Sequence, residues 1–238
     1  MRIAATADLH CRVQTTTLVR DLLGPAVDRV DALVLAGDLT DTGLPEEAIC
    51  LGKQLEKIDL PVVAVLGNHD HESGKASEVA GCLVRYGVRI LNGQAVELDG
   101  VGFAGSKGFG GGFGSRLVQP FGEQEIKDFI LTGIEEAARL QRSLENLGSK
   151  HRLVVLHYAP VPDTLAGEPL ELYPFLGSSR FAEAVDRCGA DLIVHGHAHH
   201  GSPQGRTLAN IPVYNVSRYV LARETNLPYC LIEMDGDR

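Results

Sequence analysis

The 238-residue chain has no apolar run approaching the ~18–20 residues that span a bilayer. No membrane association is expected. The first residues carry one Arg and then a short apolar run that breaks at Asp8 and His10, where the apolar core of a secretory leader would continue. The expected location is therefore cytoplasmic. Cysteine is sparse: Cys11, Cys50, Cys82, Cys188 and Cys230 are dispersed, odd in number and without a C-x-x-C pair. That argues against a disulfide framework and against a structural zinc knuckle. Basic residues are outnumbered, with 22 Lys and Arg against 31 Asp and Glu and a net charge of −9. Broad, charge-driven nucleic-acid binding needs many Lys and Arg contacts to phosphates and is not expected. A small phosphate substrate is still allowed, because bound metal ions reverse the local field. There are no repeats, no low-complexity tail and no clear linker, so one domain over residues 1–238 is the simplest account.

What the chain does have is five short apolar runs that each end in residues suited to metals. Residues 3–7 run into Asp8-Leu9-His10, and residues 32–36 into Gly37-Asp38. Residues 62–66 run into Gly67-Asn68-His69-Asp70, residues 153–156 into His157, and residues 192–194 into His195-Gly196-His197-Ala198-His199-His200. Ligands of open α/β sheets bind beyond the carboxyl ends of the strands, so five such ends side by side gather these groups into one pocket.

Between the runs, residues 15–30, 44–58 and 76–86 read as amphipathic helices, with Gly24-Pro25 a kink in the first and Pro45 in the first turn of the second. This β-α-β-α rhythm predicts a largely parallel sheet. The middle changes character: short strands at 88–91, 95–98 and 101–104 are separated by Asn92-Gly93 and by Asp99-Gly100, a hairpin signal. A glycine-rich loop, 105–114, precedes the longest helical pattern, 122–148, with Gly148 as its stop. A Pro/Gly-containing loop over 159–177 leads to a helix at 178–188, and the tail reads as strand runs at 207–208, 212–216 and 229–234.

In Asp8-Leu9-His10 and His197-Ala198-His199 the polar residues are two apart, which on an extended segment puts both on one face. Asp38 offers a carboxylate able to bridge two ions, and Asn68 a neutral amide oxygen. Carboxylate, imidazole and amide together suit Mn, Fe, Zn or Co. The glycine-rich loop lacks G-x-x-x-x-G-K-[ST] and is not a nucleotide P-loop. It reads either as a surface connection or as a mobile lid bringing Lys107 or Arg116 to a phosphate and Phe109 or Phe113 to an apolar group. Arg12 is a further phosphate-contact candidate. Cys11 belongs either to the core or to the edge of the site. His195 is read as packing beside the ligands or supporting them, and His71, His151 and His200 as surface residues.

Taken together, these blocks resemble the calcineurin-like metallophosphoesterases, whose pattern is D-x-H, G-D-x-x, G-N-H-[DE], a lone His after a strand, and G-H-x-H. All five are present in order between residues 8 and 199. The resemblance implies a four-layer α/β/β/α sandwich of two mixed sheets flanked by helices, the amino half supplying most of one sheet and the hairpin region and tail much of the other. It implies two divalent transition-metal ions, Mn foremost, with Fe, Zn or Co as alternatives. One ion would take Asp8, His10, Asp38 and His199; the other would take Asp38, Asn68, His157 and His197. Asp38 and a water or hydroxide would bridge them. Two divalent ions with two carboxylates and one hydroxide leave a local charge of about +1, which attracts phosphate. His69 would assist the leaving oxygen, with Asp70 orienting it.

The implied activity is hydrolysis of a phosphate ester on a small molecule or nucleotide, by in-line attack of the bridging hydroxide. Residues 37–42 and 67–70 resemble bacterial cyclic-nucleotide-type members, which favours phosphodiesters over monoesters. Asp41 stands where purple acid phosphatases of this superfamily carry Tyr, which argues against a tyrosinate-bound iron. A nuclease would share every ligand, but the acidic charge speaks against it. A protein phosphatase has no marker here, and a non-enzymatic scaffold would be expected to lose ligands that this chain retains.

Overall fold

A computed structural model describes residues 1–234. The amino half alternates strands and helices as the periodicity predicts. Strand β1 (Arg2–Thr6) is followed by α1 (Leu18–Val27), β2 (Ala32–Ala36), α2 (Pro45–Leu55), β3 (Val62–Val65), α3 (Ala76–Arg85) and β4 (Val88–Ile90). Pro45 opens α2, where its missing N–H costs nothing, and α1 runs through Pro25 to Val27. A hairpin follows, β5 (Ala95–Leu98) and β6 (Val101–Gly105). Its turn residues Asp99 and Gly100 both have positive φ, 46° and 81°, as a tight two-residue turn requires. After α4 (Gln124–Glu145) come β7 (His151–Val155), the short α5 (Tyr173–Leu176), α6 (Ser179–Cys188), β8 (Leu192–His195), β9 (Gln204–Arg206), β10 (Pro212–Asn215), α7 (Arg218–Thr225) and β11 (Cys230–Glu233).

The strands form two mixed sheets. One has the order β11-β1-β2-β3-β4, with only β11 antiparallel; the other has the order β5-β6-β7-β8-β10-β9, antiparallel at its two edges. Alternation along each central strand sorts the side chains into three apolar layers. Ile3, Ala5, Val34 and Val63 face Phe103, Leu153, Val155 and Val194 between the sheets. Ala4, Leu33, Leu35 and Ala64 point the other way, against Leu23, Leu51 and Leu83 of the first three helices. On the far side Val154, Ile193 and Val213 pack against Leu140 and Leu144 of α4 and Phe181 and Val185 of α6. Three cores between four layers define an α/β/β/α sandwich, the architecture expected. Strands buried on both faces explain why the sequence shows continuous apolar runs there instead of alternation.

The structure revises several details. Residues 88–90 join the first sheet beside β3 instead of the hairpin region. The last strand also crosses to the first sheet, pairing with β1 from Arg2↔Glu233 to Ala5↔Cys230. Residues 207–208 are not a strand, and Leu208 is 98% exposed. The stretch between the last two strand runs contains α7, which buries just Val220 and Leu221 and so carries little periodic signal. Helix α4 is capped at Asn146, two residues before Gly148.

Candidate metal centre

The parallel pairing of β1 and β2 continues past both strands as loop hydrogen bonds: Asp8 N–H to Gly37 O, His10 N–H to Asp38 O and Cys11 N–H to Leu39 O, each 3.0 Å. The ligand-bearing residues are not extended. Asp8, His10, Asp38 and His197 all have left-handed backbones, with φ of 61°, 45°, 49° and 69°. Each such residue costs about 1–3 kcal/mol unless its surroundings over-determine it, and such outliers concentrate at functional sites. Spacing of two therefore brings Asp8 and His10 together through a turn, not along one face of a strand. The adjoining glycines are required sterically. A Cβ at Gly37 would enter the His157 ring, and one at Gly67 would enter the Asp38 carboxylate.

Three overlapping groups of potential ligands result: Asp8, His10 and His199; His10, Asp38 and His69; and Asp38, His157 and His197, the donor atoms of each within 4.8 Å of one another. Asn68 completes the last, its Oδ1 lying 2.9 Å from His157 Nε2. The structure thus brings together all seven sequence-predicted ligands. The first sheet supplies Asp8, His10, Asp38 and Asn68, and the second His157, His197 and His199. His157 ties the two, donating from Nδ1 to the Ala36 carbonyl at 2.9 Å.

The donor set fits cations. With Nδ1 committed to Ala36, neutral His157 presents a lone pair at Nε2 to two further acceptors, Asn68 Oδ1 and Asp38 Oδ1 at 3.3 Å. Three converging acceptors are tolerable only with a proton or a metal ion among them. His10 Nδ1 is buried without a hydrogen-bond partner, a condition otherwise costing roughly 1–3 kcal/mol, and His199 Nε2 faces only Asp8 Oδ1, 3.4 Å away. Burial favours neutral His157, but the Asp38 and Asp8 carboxylates outweigh it, and its pKa is pushed up to about 9. Burial likewise acts to raise Asp8 and Asp38, yet both lie below the usual carboxylate range, Asp8 chiefly through His199 and Asp38 chiefly through His157. Burial pushes His197 down to about 3, with the His157 charge adding to it. One protonated histidine therefore stands between two carboxylates where a cation would otherwise sit.

His69 lies at the open side of the cluster, 36% exposed, with Nε2 4.0 Å from Asp38 Oδ2. Its Nδ1 is held at 2.6 Å by the Asp41 backbone carbonyl. Asp70 does not orient it. The Asp70 carboxylate is fully buried and accepts from the N–H groups of Leu39, Thr40 and Gly67 and from the Thr40 hydroxyl, so it laces the loops after β2 and β3 together. His195 is buried between the Gly196 carbonyl and the Thr164 hydroxyl, 2.8 Å from each, behind the ligand-bearing turn.

The phosphate-contact candidates separate. Arg12 lines the mouth of the centre, a cavity of about 510 Å³, but its guanidinium is engaged by Asp41 at 2.8 Å. Lys107 faces the other side, over the rings of Phe109 and Tyr158 and beside His71. Arg116 sits exposed in a turn and lines no part of that mouth. The glycine-rich loop is not an open lid. Residues 110–112 are buried, and Gly111 and Gly112 hydrogen-bond to Pro174 and Gly177. Cys11 is fully buried in the core under the first sheet.

Three residues at the centre escaped the sequence reading. The Tyr158 ring packs 4.4 Å from His197, and adjacency to His157 was its available signal. Tyr219 packs against His199 with ring centroids 4.6 Å apart, and Arg218 lies over Tyr219; both lie beyond the last recognisable block.

Acidic and imidazole side chains gathered on the strand-end rim of a two-sheet sandwich form a centre able to hold metal ions. The family model described as Calcineurin-like phosphoesterase matches residues 1–201, and the chain belongs to that family of phosphoric ester hydrolases. It is 26% identical over 250 residues to a protein of Rhodococcus erythropolis named Probable cyclic nucleotide phosphodiesterase, covering 99% of this chain and 72% of the relative. In fold it is similar to Phosphopantetheinyl Hydrolase from Mycobacterium tuberculosis, with a TM-score of 0.67, 17% identity and coverage of 98% and 96% of the two chains. A Thermus thermophilus protein aligns with a TM-score of 0.54 at 18% identity, over 90% and 88% of the two chains. No helix among the described residues is long and apolar enough to cross a membrane.

Proposed function

We propose that this chain hydrolyses phosphodiesters of the cyclic or nucleotide-like class at a dinuclear centre, with Asp38 shared by the two metal positions. The observation that carries this reading is the overlap of three ligand groups at one pocket, two of them meeting on Asp38. Two divalent ions bound there, manganese being the favoured pair, supply Lewis acidity and an activated water. Asp8 and Asp38 provide the negative charge that holds the ions, and the histidines and Asn68 add none, so the centre stays attractive to phosphate on an acidic protein. His69 hands a proton from Nε2 to the leaving oxygen. Its ring stays aimed because Nδ1–H remains on the Asp41 carbonyl. Asp70 acts at one remove, fixing the loops that carry Asp38 and Asn68. The cyclic nucleotide named for the Rhodococcus relative supports the diester preference.

The test is a metal-reconstituted assay on p-nitrophenyl mono- and diesters, with 2′,3′- and 3′,5′-cyclic nucleotides alongside. Diester turnover is expected to exceed monoester turnover, and strong monoesterase activity without diesterase activity overturns the preference. In the same assay His69→Asn is expected to keep full metal content and lose about 10²–10⁴-fold in kcat, the usual contribution of a positioned acid. Unchanged kcat in a metal-replete variant removes the role.

A further inference from the structure

Among the described residues, the mouth of the centre carries one cation with no counter-charge. Arg218 opens α7, and its backbone N–H reaches the carbonyl of Ala7, the residue before Asp8, at 3.3 Å, while neighbouring Ser217 bridges to the same residue. The segment is thus fixed to the loop that bears two ligands. The Arg218 guanidinium stacks 4.8 Å from the centre of the Tyr219 ring and donates to its hydroxyl at 2.9 Å. Tyr219 in turn packs against His199, the two rings tilted by 40°. Tyr219 touches both groups and so sets a guanidinium one ring further out than His199.

No carboxylate among the described residues lies within 4.0 Å of that guanidinium, and its Nε has no partner. Arg12, the other arginine lining this mouth, is already paired with Asp41. An uncompensated cation beside a centre that itself collects positive charge disfavours the ligand-free state, and a visiting anion relieves it. Guanidinium presents a planar fork suited to two oxygens of a phosphate or carboxylate.

We infer that Arg218 recognises a second anionic group on the substrate, a phosphate or carboxylate attached beyond the phosphoryl group that the metal ligands surround. The inference rests on the phosphodiesterase reading and narrows it. The preferred substrates are diesters with an anionic substituent on the non-leaving side. Arg218 is then a specificity residue that the chemical step does not use.

The test uses the metal-loaded protein and three p-nitrophenyl aryl phosphates. Their non-leaving ring carries a para-carboxamide, a para-carboxylate or a para-phosphonate. The two anionic arms separate carboxylate from phosphate recognition. For the native protein kcat/KM is expected to be about ten- to hundredfold higher for at least one anionic ester than for the carboxamide, through KM, as a charge-assisted hydrogen bond provides. In Arg218→Ala that ratio falls to about one, and Arg218→Lys restores part of it. A native ratio of one overturns the inference, as does an Arg218→Ala variant that loses activity on all three esters while keeping the ratio. If the native protein turns over none of the three, the phosphodiesterase reading fails and takes this inference with it. Turnover of the carboxamide alone confines the failure to Arg218.

Discussion

Asp38→Ala is expected to empty both metal positions together and to lower turnover on the order of 10⁴-fold or more. The reason is geometric. Asp38 Oδ2 lies 3.9 Å from His10 Nε2 in one ligand group, while Oδ1 lies 3.3 Å from His157 Nε2 in another. Removing the side chain takes an anionic ligand from each. Losing the ions forfeits several kcal/mol of transition-state charge stabilisation, which at 1.36 kcal/mol per decade gives the rate loss. Elemental analysis of purified protein checks the first part. Retention of one ion per chain would show that Asp38 belongs to a single position and would refute the shared-ligand arrangement. Asp38 Oδ1 also accepts the His69 N–H at 2.9 Å, so a milder companion, Asp38→Asn, tests whether charge or only shape is needed.

Removing metal from the intact protein should have an equally large effect on stability. Each ion would take ligands from both sheets, so it would cross-link the sandwich at its rim. An ion present at a hundred times its Kd contributes about 2.7 kcal/mol, two contribute about 5 kcal/mol, and for a chain of this size that amounts to roughly 10–20 °C in Tm. The gap should widen with pH. His157 has a folded pKa of about 9 without metal, above its unfolded value. A raised histidine stabilises the metal-free fold fully below the unfolded value near 6.5, and that stabilisation is lost as pH rises through 9. Metal uptake below pH 9 must displace the same proton, so affinity should fall about tenfold for each unit of acidification. Calorimetric scans with and without chelator at pH 6, 7 and 8 measure both effects. A Tm difference that is absent, or that narrows with rising pH, contradicts the cross-link and the proton it replaces.

The seven residues that meet at the centre were legible because short apolar runs ending in Asp, Asn or His announce themselves at the ends of buried strands. The mutual placement of the strands was less so. That residues 230–233 pair with β1 depends on which edge is free, a property of the assembled sheet. The partner of His69 was misassigned to Asp70 because proximity in sequence favoured a carboxylate, whereas the true partner is a main-chain carbonyl that any residue at 41 would offer. Arg218 and Tyr219 were invisible for a different reason. Their place at the mouth depends on long-range contacts such as the bridge between Ser217 and Ala7, made across most of the chain.

That same closure bears on how the protein is made. Strand β1 leaves the ribosome long before its outer neighbour β11, and the segment fixing the residue before Asp8 begins only at Ser217. At 5–20 residues per second those partners follow by about 10–50 s. Through that interval a buried apolar strand keeps one edge unpaired, the kind of template on which nascent chains associate wrongly. Slow decoding of the codons between β1 and β11 would lengthen that exposure.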